Sequence, residues 1–155
     1  VVIGIVYGIP NNASHVLIHV PSSNTVSGSE QIPSSIDGGN YRWKGGVTVN
    51  GIVYGIPSYS RHVLIYEPSS NNVSGSEQIP SSIDSGNHQW NGGVVVNGIV
   101  SGDASSARHE RSYEPSPYKV SGTEQVPSSI DGGNHPWNGG VTVNGIVCGS
   151  ARCRK

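Results

Sequence analysis

The chain repeats itself every 47 residues, and this period limits its fold more than any other feature of the sequence. Gly4-Ile5-Val6-Tyr7-Gly8-Ile9-Pro10 returns as Gly51-Ile52-Val53-Tyr54-Gly55-Ile56-Pro57. It comes again as Gly98-Ile99-Val100-Ser101-Gly102 and last as Gly145-Ile146-Val147-Cys148-Gly149. The same step, with no insertion or deletion, relates His15, His62 and His109; Glu30, Glu77 and Glu124; and Trp43, Trp90 and Trp137. The units run approximately over 1–47, 48–94 and 95–141, followed by a duplicated strand pair at 141–149 and a short tail. Together, residues 1–155 read as a single repeat domain with one moderate core.

Composition settles the class of element. Phe and Met are absent, Gly numbers 22 and Pro 10, and the apolar residues are mostly Val and Ile. β-branched side chains suit pleated, half-buried strands, while Gly and Pro punctuate short elements. The chain is therefore expected to be all-β. Regular Val/Ile runs and the recurring Trp argue against disorder, despite the Gly/Ser/Asn content.

Four short strands are expected per unit. Val94-Val95-Val96 runs into Asn97-Gly98, a strong two-residue hairpin signal shared by Asn50-Gly51 and Asn144-Gly145. Ile52–Ile56 forms the second strand, His62–Tyr66 the third and Val73–Glu77 the fourth, with a loop from Ser81 to Trp90 leading into the next unit. Four antiparallel strands at a period in the forties describe a β-propeller blade. The wording also resembles kelch-like propeller repeats, in Trp90-Asn91-Gly92-Gly93-Val94-Val95-Val96-Asn97-Gly98 and in Tyr66-Glu67-Pro68-Ser69-Ser70-Asn71, which looks like their Tyr-Asp-Pro-x-x-Asn turn. The chain departs from that pattern at Ile9-Pro10 and Ile56-Pro57, where kelch repeats carry Gly-Gly, and at Val26, Val73 and Val120, where they carry Trp.

Closed propellers need roughly four to eight blades, so three blades call for a further step. Two chains joining into a six-bladed ring, a longer propeller, and a β-trefoil with three four-stranded lobes are the alternatives. The duplicated strand pair at the chain end favours an oligomer formed by strand exchange, a homodimer first. In the third unit Arg108-His109-Glu110-Arg111-Ser112-Tyr113 loses the apolar alternation of its predecessor, which predicts an edge strand or a solvated face.

Several partners are disfavoured. A net charge of −1 gives no field for nucleic acid, and Arg152, Arg154 and Lys155 read as a solvated tail. No run approaches the ~20 apolar residues of a membrane helix. The start at Val1-Val2-Ile3 reads as a mature, processed or partial chain. The sequons at Asn12-Ala13-Ser14 and Asn72-Val73-Ser74 favour secretion weakly. Cys148 and Cys153 suit either a small local disulfide or two free thiols, and no cofactor or metal is expected.

The loop before each Trp carries the candidate ligand-binding residues: Asp37, Asn40, Tyr41 and Trp43; Asp84, Asn87, His88 and Trp90; Asp131, Asn134, His135 and Trp137. Carboxylate and carboxamide groups can bind sugar hydroxyls, and an aromatic ring packs on a sugar's apolar face. The structural alternative is equally concrete. Asp and Asn beside Gly form turns, and Trp fills a core that has no Phe or Met. The position after Asn (Tyr41, His88, His135) varies and suits contact with a ligand. No catalytic constellation is evident, so an enzyme is not expected. The expected function is multivalent, lectin-like carbohydrate binding. The alternatives are a structural or protein-interaction propeller and a fragment of a propeller enzyme.

Overall fold

The computed structural model describes residues 4–36, 39–81, 90–104, 111–115, 119–122, 137–143 and 146–151. These residues are all-β, with thirteen strands in four antiparallel sheets and no helix. Sheet 1 holds β1 (Val6–Gly8), β2 (Leu17–Val20) and β3 (Thr25–Gly28). Sheet 2 holds β4 (Trp43–Val49), β5 (Ile52–Pro57), β6 (Leu64–Glu67) and β7 (Asn72–Gly75). Sheet 3 repeats it with β8 (Trp90–Val96), β9 (Ile99–Ala104), β10 (Arg111–Glu114) and β11 (Lys119–Gly122), and sheet 4 pairs β12 (Trp137–Val143) with β13 (Ile146–Ala151).

Local chemistry explains the ladders. Asn50 and Gly51 both have positive φ (50° and 81°), as do Asn97 and Gly98 (50° and 79°). This is the tight turn whose twist matches antiparallel strands. The third Asn-Gly pair, Asn144-Gly145, lies outside the described residues. Asn24 and Asn71 close the turns between the last two strands of sheets 1 and 2, again at positive φ (50° and 55°). The first strand of each four-stranded sheet begins at its Trp rather than after the Gly-Gly pair. A bulge between Trp43 and Gly46, and another between Trp90 and Gly93, absorbs the extra residues.

One prediction needs correction. β10 is not an edge strand, because it pairs with both β9 and β11. Tyr113 stays in the core at 1% exposure, and the backbone ladder on both sides of β10 does not depend on the apolar residues that the third unit lacks at positions 111 and 112.

The sheets stack face to face in a fixed way. Val53, Leu64, Tyr66 and Val73 of sheet 2 pack on Tyr7 and Ile18 of sheet 1 and on Ile9 and Val16, which flank its strands. One step on, Val100, Tyr113 and Val120 of sheet 3 pack on Tyr54, Ile56 and Ile65 of sheet 2 and on Val63, which precedes β6. The aromatic contact recurs, with Tyr7 5.5 Å from Tyr66 and Tyr54 5.5 Å from Tyr113 between ring centres. Such pairs contribute about 0.5–1.5 kcal/mol beyond the area they bury. The second Gly of each Gly-Gly pair permits the close approach. A Cβ on Gly46 would stand 2.7 Å from Cδ1 of Ile9, and one on Gly93 would stand 2.8 Å from Cδ1 of Ile56. The repeated sequence is thus a repeated inter-sheet contact.

Candidate functional site

The loop that leads into β4 is held between two others. On one side, the Arg42 amide donates to the Asn11 carbonyl at 3.0 Å, and the Tyr41 amide donates to Oδ1 of Asn12 at 2.7 Å. Nδ2 of Asn11 donates to the Trp43 carbonyl at 3.2 Å. On the other side, the carbonyl of Arg42 accepts from the amides of Ser58, Tyr59 and Ser60 at 2.7, 3.2 and 3.1 Å. Arg42 itself is buried, its guanidinium donating to the Ala13 carbonyl and lying 5.4 Å from the centre of the Trp43 ring.

This clamp places Tyr41 in an uncommon state. Its φ is +58°, a left-handed backbone that costs a side-chain-bearing residue about 1–2 kcal/mol. The residue is nevertheless 53% exposed. Its ring stands 5.9 Å from the ring of half-buried Tyr59, tilted by 42°. Exposed Asn40 and Asn12 flank it in the same and the adjoining loop. The result is an open aromatic pair edged by carboxamides, which can offer stacking faces and hydrogen-bond donors and acceptors to one ligand.

The twelve sequence-derived site residues separate clearly. Asn40 and Tyr41 are exposed in this loop. Trp43 is 0% exposed, packs in the core between sheets 1 and 2, and donates from Nε1 to the His62 carbonyl at 2.8 Å. Trp90 is 2% exposed in the next inter-sheet core. Neither indole offers a face to a solvent-borne ligand. Trp137 opens β12. Asp37, Asp84, Asn87, His88, Asp131, Asn134 and His135 lie outside the described residues.

Sequence reasoning did not single out Tyr59 as a contact residue, nor Asn12 except as part of a sequon. The two occupy the same place in successive repeats, two residues after Pro10 and Pro57. That relation was the available signal. A separate shallow cavity of about 340 Å³ opens at the hairpin turns, where Asn50, Asn97 and Glu114 converge between sheets 2 and 3. It lies at the other end of the β4–β5 hairpin from Tyr41. Among the described residues, no three His, Cys, Asp or Glu side chains gather to hold a metal, and no helix is long and apolar enough to cross a membrane.

Compared with known proteins, the chain matches no family model and no curated sequence.

Proposed function

We propose that the chain is a carbohydrate-binding module of lectin type, with a sugar stacked on the Tyr41–Tyr59 pair and hydrogen-bonded by Asn12 and Asn40. The observation that carries this reading is the exposed Tyr41 ring on a left-handed backbone at φ +58°. Strain kept at an exposed aromatic residue contributes nothing to a core, and such positions cluster where ligands bind. The scaffold is read as kelch-like propeller blades, with two chains completing a six-bladed ring. Separate antiparallel sheets, two of them four-stranded, joined by a recurring inter-sheet contact support blades over trefoil lobes, which would share a closed barrel.

The test is a glycan array followed by calorimetric titration of the best ligand. Tyr41→Ala and Tyr59→Ala are each expected to weaken binding about tenfold or more, since a stacked aromatic is commonly the dominant contact. A folded protein that binds no glycan, or binds equally well without both rings, would sink the proposal. The second reading, a protein-interaction scaffold, draws on the burial of Trp43 and Trp90, which assigns those repeated residues to holding the sheets together.

A further inference from the structure

Six of the seven tyrosines stand in three close ring pairs. Ring centres lie 5.5 Å apart in Tyr7–Tyr66 and in Tyr54–Tyr113, and 5.9 Å apart in Tyr41–Tyr59. Separation alone does not distinguish the three. Burial does. Tyr54, Tyr66 and Tyr113 are 2%, 2% and 1% exposed in the inter-sheet cores, whereas Tyr41 is 53% exposed and Tyr59 half-buried. A soluble oxidant therefore meets the third pair first.

Backbone bonds keep this outer pair together. The Tyr59 amide donates to the Tyr41 carbonyl at 3.2 Å, and the Arg42 carbonyl accepts from the amides of Ser58 and Ser60 on either side. Oδ1 of Asn12 holds the Tyr41 amide in turn at 2.7 Å. Two phenols are thus kept within reach of each other with the Tyr41 side chain at the surface, where rotamers exchange within nanoseconds. The buried pairs sit in close-packed cores that resist swinging two rings into edge-to-edge contact. The arrangement is built once, because the next junction has His88 and Ser106 at the same two places.

We propose that Tyr41 and Tyr59 form an oxidative coupling site, joined by a carbon–carbon bond between the ring positions ortho to their hydroxyls. The oxidant is of the haem-peroxidase class, with hydrogen peroxide as terminal electron acceptor. Each phenol gives up one electron and one proton and becomes a phenoxyl radical. The two radicals pair at their ortho carbons, and the hydrogens on those carbons move as protons to the two oxygens. The product keeps both hydroxyls and has lost two hydrogen atoms, while one hydrogen peroxide becomes two waters. Placement side by side makes the coupling intramolecular, at an effective concentration far above that of a second chain. The bond ties the loop before β4 to the loop after β5, which already clasp at Arg42. It needs two rings that are near and reachable, not a bound ligand, so it stands or falls apart from the sugar site.

The test treats the full native chain with a haem peroxidase and limiting hydrogen peroxide. Thiols are reduced before the mass is measured, because a disulfide between Cys148 and Cys153 would remove the same two hydrogens. The expected product is a monomer lighter by two hydrogens, with dityrosine fluorescence and a digest peptide linking Tyr41 to Tyr59. Its yield per chain should hold over about a hundredfold dilution. Tyr41→Phe and Tyr59→Phe keep a ring but form no phenoxyl, and each should lower the monomer's fluorescence about tenfold or more, while Tyr54→Phe leaves it unchanged. Absence of the linked peptide, linkage through another tyrosine pair, or coupling only between chains at a rate that follows concentration overturns the inference.

Discussion

Replacing Tyr41 by glycine separates a binding residue from a structural one. The native residue sits at φ +58° and is about half exposed. Glycine at that φ relieves about 1–2 kcal/mol of left-handed strain. Against this stand about 0.5–1 kcal/mol for the greater backbone freedom that glycine loses on folding. The lost contact with Tyr59, at 5.9 Å between ring centres, costs about 0.5–1 kcal/mol. The sum lies within about 1 kcal/mol of zero. Tyr41→Ala keeps the strain and loses the ring, so it should be less stable than Tyr41→Gly by about 1 kcal/mol. Urea denaturation with unchanged slope measures both, and glycan titration on the same variants measures the site. The expected pattern is preserved stability with lost binding. A Tyr41→Gly variant destabilised by about 3 kcal/mol or more would refute the reasoning, because the ring would then be a structural wedge.

Two further outcomes probe the scaffold. Gly46→Ala should cost about 1–3 kcal/mol by overpacking, because its Cβ would stand 2.6 Å from the Tyr54 carbonyl oxygen, which Ile9 cannot relieve by moving. A cost below about 0.5 kcal/mol in urea denaturation would remove the close-approach role assigned to the Gly-Gly pair. Burial raises the phenol pKa of Tyr7 and Tyr66 above 10.0, with the neighbouring Tyr7 adding to the effect on Tyr66. The folded chain then holds these protons to higher pH than the unfolded one, so stability is full below pH 10.0 and falls as pH rises through the folded values. A Tyr7→Phe/Tyr66→Phe double variant should show a shallower alkaline decline of the denaturation midpoint, and an unchanged slope would reject the assignment.

The strands and hairpins were legible because their signals are local. Asn-Gly specifies its own turn, and alternating Val, Ile and Tyr specify a half-buried ladder. The start of β4 at Trp43 was hidden because Gly45-Gly46 reads as a breaker, while the bulge turns it into a bend within the strand. The edge position expected for β10, one of two alternatives beside a solvated face, failed for a related reason. Loss of apolar residues at positions 111 and 112 says little about backbone pairing, which runs through main-chain groups on both edges of β10, while Tyr113 still anchors it in the core. The aromatic pair was only half legible. Tyr41 carries a positional signal within its loop, but its meeting with Tyr59 depends on how the loops before and after the β4–β5 hairpin come together around Arg42.

Comparison of the repeats with one another separates scaffold from site. Where sheets 1 and 2 meet sheets 2 and 3, the residues agree: Tyr7 with Tyr54, Ile9 with Ile56, Ile18 with Ile65 and Gly46 with Gly93. Each of these lies in an inter-sheet contact, and a change in volume there is felt by two sheets at once. At the exposed pair the repeats diverge. Tyr41 becomes His88 and His135, and Tyr59 corresponds to Asn12 and Ser106. The chain therefore carries one Tyr–Tyr pair rather than three equal ones, and three repeats do not by themselves make a trivalent binder. Under the proposed two-chain ring, valency comes from assembly: a second chain brings a second Tyr41–Tyr59 pair, and that arrangement, not the repeat count, would set the avidity for a surface bearing many glycans.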